Sequence, residues 1–189
     1  MTPNEKEALR AHYRQRRAKR SPMMRLLRDA AVQKNIARGG ALAEADALLV
    51  YAPTRGEITL QLICSYARQR GIPVAYPRCE GDGVMQFYLV ESETELVPGA
   101  YGIPAPGEEC PLFTPSERTV MLVPALTYDR EGYRLGQGGG YYDRYLATFR
   151  GVSLGVCYEE DVADALPREA HDLPVSFLVT DKTITRVRK

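Results

Sequence analysis

The chain has 189 residues, 44% of them hydrophobic and 26% charged, with a formal net charge of +1, which suits one domain with a sizeable core rather than two. A near-neutral chain is not built to hold nucleic acid or anionic lipid by bulk charge, and no apolar run reaches the eighteen or so residues of a membrane span. The opening stretch lacks the apolar core of a secretory signal, and the four cysteines form no C-x-x-C pair, so a cytoplasmic protein is expected, with reduced thiols and without a disulfide framework or zinc site.

Residues 4–20 read as a helix rich in Arg and Lys. Ser21 and Pro22 then supply an N-cap and an N1 proline for a second helix, running to about Arg38 before Gly39 and Gly40. The run ALLVYAP (47–53) is continuously apolar, as expected of a strand buried on both faces. EITLQLICSYARQRG carries Ile58, Leu62, Ile63 and Tyr66 at helical spacing, predicting a helix over 57–71 that stops at Gly71. IPVAYP follows as a second strand. From 80 to 117 glycine and proline gather: GDG, then a strand VMQFYLV, then PGAYGIPAPGEECP, which predicts an irregular covering segment. TVMLVPAL (119–126), GVSLGVCY and VSFLVTD (175–181) are further buried strands, with a glycine loop and a helix over about 140–149 between the first two. The alternation predicts an α/β fold: a single domain over residues 1–189, with a mostly parallel sheet and helices on both faces. Ligands in such sheets lie beyond the carboxyl ends of strands, which puts the loops after Tyr51 and Pro124 at a cleft.

RLGQGGGYYDRYL (134–146) carries glycine at 136, 138, 139 and 140. The amides of such a turn can converge on one anion, and a following helix adds its positive end; a tight turn needing positive φ is the plainer reading. The stretch is neither a Walker A loop nor a clean dinucleotide G-x-G-x-x-G. Asp143, early in the next helix, either answers the helix dipole or, beside a phosphate, serves Mg²⁺ with Asp172 as the second carboxylate. Lys6, Arg10, Arg14 and Arg17 are spaced four, four and three, so they form one stripe. That stripe is a solvated face, a clamp of Lys6 and Arg10 on a polyphosphate, or an RNA contact. Glu57 is either a helix-start acid or a bidentate acceptor for the N–H groups of a flat heterocycle. GVSLG (151–155) matches G-x-S-x-G, but Gly151 follows a helix and Ser153 enters a strand, the wrong context for a nucleophile elbow.

On these residues the sequence resembles the 5-formyltetrahydrofolate cyclo-ligase family, also called 5,10-methenyltetrahydrofolate synthetases. LVPALTYDREGYRLGQGGGYYDRYL (122–146) is similar to that family's signature. KEALR (6–10), YAPTRGEI (51–58), YPRCEGDGVMQF (76–87), YGIPAPGE (101–108) and HDLPVSFLVTD (171–181) support it in the same order. The resemblance implies ATP- and Mg²⁺-dependent cyclisation of 5-formyltetrahydrofolate to 5,10-methenyltetrahydrofolate, with release of ADP and phosphate. It implies ATP contacts at Lys6, Glu7, Ala8, Leu9 and Arg10 and again at Arg134, Leu135, Gly136, Gln137, Gly138, Gly139, Gly140, Tyr141 and Tyr142. Folate contacts fall on Ala52, Glu57 and the segment from Gln137 to Tyr141, Mg²⁺ on Asp143 and Asp172, and catalytic roles on Arg134 and Lys6. Two positions depart from the family pattern: Gln137 stands where an arginine is frequent, and Ala105 where an acidic or amide residue is common. The implied fold is the kind found in phosphosugar isomerases and CoA transferases. An enzyme of that kind, or a folate- or nucleotide-binding module without turnover, is the alternative reading. The expected partners are 5-formyltetrahydrofolate and ATP, with no nucleic acid or membrane, bound by a monomer.

Overall fold

A computed structural model describes residues 3–54, 56–81 and 83–187; Asp82, in the GDG stretch before the strand VMQFYLV, lies outside them. Helix α1 (Pro3–Ala18) is followed by α2 (Pro22–Arg38), whose start is the expected one: the Ser21 hydroxyl accepts from the Met24 N–H at 3.2 Å, with Pro22 in the first turn. At its other end the Gly39 N–H donates to the carbonyls of Asn35 and Ile36.

Strand pairing in the first apolar run is confined to β1 (Leu48–Leu49), although Leu48, Leu49 and Val50 are all fully buried. Leu48 and Val50 enter one core and Leu49 the other, which is why the run is apolar without alternation. Helix α3 (Gln61–Gln69) begins four residues later than its periodicity predicts. The cause is tertiary. Asp29 of α2 accepts from the N–H and hydroxyl of Thr59 (3.1 and 2.9 Å), and Gln33 accepts from the Ile63 N–H at 3.1 Å. Side chains of one helix thus satisfy the open amides at the start of the next, leaving Glu57 outside the helix and free to bond Thr54. The predicted stop at Gly71 holds, with φ +72 and its N–H on the Arg68 carbonyl.

An antiparallel hairpin follows, β2 (Val74–Gly81) and β3 (Val84–Leu89). The glycine- and proline-rich segment contains a small ribbon, β4 (Leu96–Pro98) with β5 (Pro104–Pro106), then β6 (Leu112–Phe113). β7 (Val120–Pro124) leads into a second ribbon, β8 (Thr127–Tyr128) and β9 (Arg134–Leu135). Helix α4 spans only Tyr141–Leu146, short of the expected 149. Phe149 instead folds back to stack on Tyr145, with ring centroids 6.0 Å apart. β10 (Val152–Val156), β11 (Phe177–Val179) and β12 (Ile184–Arg186) close the chain.

The main sheet runs β12-β11-β10-β7-β1-β2-β3-β6. Its centre, β11 to β2, is parallel; β12, β3 and β6 are antiparallel edges. Val32 and Ile36 of α2 and Ile63 and Ala67 of α3 cover one face, and Tyr142, Tyr145 and Leu146 of α4 pack on the other. Helix α1 stands apart, with Leu9 and Tyr13 against Leu126, Leu135 and Leu166. The expected mostly parallel sheet with helices on both faces is the observed fold.

The glycines of GVSLG are packing glycines. A Cβ on Gly151 would meet the Thr119 carbonyl oxygen at 2.2 Å, and one on Gly155 would meet the Tyr128 ring at 2.6 Å. Ser153 is buried beside the Ser176 hydroxyl at 3.2 Å, so it is no nucleophile. Tyr128 is fully buried and tied to the Val123 carbonyl at 2.8 Å, so it has little room to yield. Gly155→Ala is therefore expected to destabilise the fold by about 1–3 kcal/mol through overpacking. A denaturant melt checks this, and an unchanged midpoint would show that Tyr128 moves aside.

Candidate active site

Beyond the carboxyl ends of β1, β2 and β7 lies a cleft of about 1300 Å³, walled by α1, the glycine loop, the β4–β5 ribbon and the turn before β11. Its cationic wall comes from the α1 stripe. Lys6 Nζ donates to Asp172 at 3.0 Å and lies 3.4 Å from Glu169. Arg10 Nε donates to the Gly136 carbonyl at 3.1 Å, and Arg14 Nε to the side-chain oxygen of Gln137 at 3.1 Å. Arg17 donates to the Ala125 carbonyl. The stripe thus joins α1 to the loop, with Lys6, Arg10 and Arg17 partly buried and Arg14 exposed at its edge. Glu7 bridges Arg10 and Arg14 at 3.2 and 2.9 Å. Glu7, Ala8 and Leu9 do not line the cleft: Ala8 is exposed and Leu9 belongs to the apolar contact under α1. Within the stretch 6–10, only the residues one helical turn apart face the cavity.

The glycine loop, Gly136 to Gly140, lies on the cleft wall together with Arg134, Leu135, Tyr141 and Tyr142. Gly138 (φ +107) and Gly140 (φ +67) occupy the left-handed region that other residues avoid. Gly136 and Gly139 do not, so two of the four glycines answer a conformational need. No acceptor for the N–H groups of Gln137, Gly138, Gly139 or Gly140 is found among the described residues, leaving them available to an anion. The contribution expected from the following helix is small, because α4 has only six residues and so few aligned peptide dipoles. Loop amides and arginines supply the positive potential.

Arg134 is the deepest cation of the site, its side chain 4% exposed, bonded to the Asp143 carboxylate and, at 3.1 Å, to the Leu173 carbonyl. It therefore ties the start of α4 to the turn that carries Asp172. For Asp172, burial would raise the carboxyl pKa, but the Glu169 N–H and Lys6 outweigh it and hold the group below its usual value. Asp143 and Asp172 both face the cleft and offer carboxylate oxygens, a donor set suited to Mg²⁺ in company with phosphate. Glu169 and His171 join Asp172 in a group whose ligand atoms lie within 4.8 Å of one another.

Tyr51, Ala52, Thr54 and Glu57, from the loop after β1, form the floor. Glu57 is no helix-start acid, since α3 begins at Gln61. Its Oε2 accepts from the Thr54 N–H at 2.8 Å, and its own N–H donates to the Thr54 carbonyl at 3.0 Å. The turn orients the carboxylate, and a carboxylate oxygen with one donor can accept another. Ala52 is 6% exposed and Tyr51 donates to the Ile58 carbonyl at 3.0 Å.

Several cleft residues had been given no site role of their own: Arg14, Arg78, Tyr101, Glu169 and His171. Arg14 was within reach, as the next step of the stripe. Tyr101 had no periodic signal. It sits between β4 and β5, 79% exposed, at φ 59, with its hydroxyl 3.3 Å from that of Tyr141. That bond, with burial adding to it, pushes the Tyr141 hydroxyl up to about 12.

Sheet and cleft together define an α/β enzyme whose site lies past the carboxyl ends of its parallel strands. Residues 2–181 match the 5-formyltetrahydrofolate cyclo-ligase family, and the chain belongs to that family. Similar chains include the 5-formyltetrahydrofolate cyclo-ligase of Haemophilus influenzae, 30% identical over 140 residues that cover 70% of this chain and 74% of that one. The probable 5-formyltetrahydrofolate cyclo-ligase of Schizosaccharomyces pombe is 28% identical over 146 residues, 69% of this chain and 72% of its own. Among solved structures, the 5,10-methenyltetrahydrofolate synthetase of Aquifex aeolicus superposes with a TM-score of 0.84 at 34% identity, over 97% of this chain and 93% of that one. The Mycoplasma pneumoniae 5,10-methenyltetrahydrofolate synthetase, at 22% identity and a TM-score of 0.76, shares the fold over 93% of this chain and 98% of its own. The protein is a ligase of the cyclo-ligase kind. Among the described residues no helix is long and apolar enough to cross a membrane.

Proposed function

We propose that the cleft binds ATP and 5-formyltetrahydrofolate side by side and closes the folate to 5,10-methenyltetrahydrofolate. The carrying observation is the convergence of α1 on the glycine loop, with Arg10 on Gly136 and Arg14 on Gln137. It brings charged side chains and unpaired amides to one place. The formyl oxygen attacks the γ-phosphorus and ADP leaves; N10 then attacks the activated carbon, phosphate departs, and N10 loses its proton. No protein nucleophile is required, and phosphoryl transfer of this kind rests on positioning and charge neutralisation. In this reading Lys6, Arg10, Arg134 and the amides of Gln137 to Gly140 hold the phosphates, while Glu57 orients the pterin and Ala52 gives it an apolar floor. Asp143 and Asp172 would hold Mg²⁺, which supplies positive charge to the phosphate oxygens. Gln137 is a neutral contact that Arg14 positions and charges from behind, which compensates for the missing arginine.

In this reading the stripe serves the cleft and not an RNA surface, because Lys6, Arg10 and Arg14 line the cavity. Absorbance at the methenyl product's band, followed with ATP, Mg²⁺ and 5-formyltetrahydrofolate, tests the assignment. A protein that binds both ligands without a rise in that band would be the non-catalytic module instead.

Lys6→Ala and Arg10→Ala are expected to raise the KM for ATP while leaving that for folate within about twofold. One charge-assisted contact contributes roughly 1.5–3 kcal/mol, so a rise of about 10- to 150-fold is expected. Initial rates at varied ATP and varied folate separate the two ligands. An unchanged ATP KM in both variants would leave these side chains as clasps between α1 and the loop.

A further inference from the structure

The cations that line the cleft fall into two groups. Lys6, Arg10, Arg14 and Arg134 belong to α1 and β9, and Arg78 stands apart from them on β2. It projects from β2, which β1 separates from β7 in the sheet; two ordinary strand spacings place it roughly 10 Å across the cleft from the β7 end. Its guanidinium lies over the Tyr88 ring, 3.7 Å from the centroid. Nε donates to Glu80 at 2.9 Å and Nη1 to the Gly107 carbonyl at 3.2 Å. Glu80 is itself engaged by the Tyr88 hydroxyl. Stacking and two hydrogen bonds fix the plane of the group, and the side chain remains 26% exposed on the cleft side. No acceptor for its Nη2 is found among the described residues.

This is an arginine held ready for an anion, and it stands apart from the cations given above to the phosphates. We propose that Arg78 binds a carboxylate of the glutamate at the end of the folate substrate, and so sets the preference for a substrate that carries that glutamate. The proposal rests on the folate reading given above. The placement supports it: the cations given to the phosphates stand on α1 and β9, whereas Arg78 sits on β2, on another part of the cleft wall. A planar guanidinium suits a carboxylate better than any other side chain does.

The test compares 5-formyltetrahydrofolate with 5-formyltetrahydropteroate, which has the same ring system and no glutamate. With the wild type, loss of the glutamate should raise KM roughly 10- to 150-fold, the size of one charge-assisted contact. Arg78→Gln should raise the KM for the folate by a similar factor and change that for the pteroate less than twofold. Equal penalties on both substrates in Arg78→Gln would mean that the residue only supports the cleft wall, and the proposal would fall. It would fall equally if the wild type used both substrates alike, a result that needs no variant to fold. Methenyl product from neither substrate with the wild type would remove the cyclo-ligase reading itself, a result distinct from either of these.

Discussion

Asp143→Asn is expected to lower turnover on the order of 100-fold, the usual scale for removing one charge-stabilising group from a reacting site, and to move the Mg²⁺ requirement to higher concentration. The carboxylate lies on the cleft wall in the first turn after the glycine loop, 22% exposed, and among the described residues its one partner is the nearly buried Arg134. Two roles compete for it: metal ligand, and anchor for Arg134. Asparagine separates them. Its amide oxygen still accepts from the guanidinium, and Arg134 keeps the Leu173 carbonyl, so the loss of stability should stay near 1 kcal/mol rather than the 3–5 kcal/mol of a broken buried pair. A metal ligand, by contrast, needs the charge. Initial rates across a Mg²⁺ titration, with a melting curve on the same preparation, give both answers. A variant with a wild-type Mg²⁺ dependence and a lowered Tm would assign Asp143 to Arg134 alone.

Glu57→Gln is expected to weaken folate about 5- to 150-fold, from a cost on the order of 1–3 kcal/mol for buried groups left unpaired. The structure sharpens the reason. Oε2 accepts from the Thr54 N–H at 2.8 Å, so glutamine must keep its carbonyl oxygen there or leave that amide without a partner. The amide NH₂ then faces the pterin, whose ring N–H and amino group are donors too. Donor meets donor. ATP affinity should not follow, because the cations proposed for the phosphates lie on α1 and in β9. Calorimetric titration with 5-formyltetrahydrofolate, beside a thermal melt, distinguishes this from a residue that only closes the Thr54–Glu57 turn. Normal folate affinity in a variant that melts early would leave Glu57 with the turn.

Those two residues also mark the boundary between local and distant information. A carboxylate just past the glycine loop is visible in the chain as written, and so is the second-helix cap at Ser21 and Pro22, the stop at Gly71 and the doubly buried run around Leu48 to Val50. Each is a preference of a residue for its immediate neighbours or a periodic burial pattern, and such preferences act over a few positions. The four-step stripe of α1 was equally plain, but not its direction. A stripe of like charge is consistent with solvent until Asp172, Gly136 and Gln137 arrive from more than a hundred residues away.

The start of α3 shows the same limit inside a secondary-structure element. Ile58 and Leu62 have helical spacing, yet Asp29 and Gln33 of α2 take the amides at Thr59 and Ile63 and delay the helix to Gln61. That delay turns Glu57 from a helix-end acid into an oriented acceptor. Arg78 and Tyr101 had no periodic signature at all, and their place in the cleft depends on Tyr88, Gly107 and Tyr141. By itself, then, the sequence determined the α/β class, the elements' order, the phosphate-loop candidate and the family signature, because these rest on short-range sterics and burial period. Which side chains face one another across the cleft was decided only by tertiary structure. Such contacts join residues that the chain separates widely, and no local preference encodes their partner.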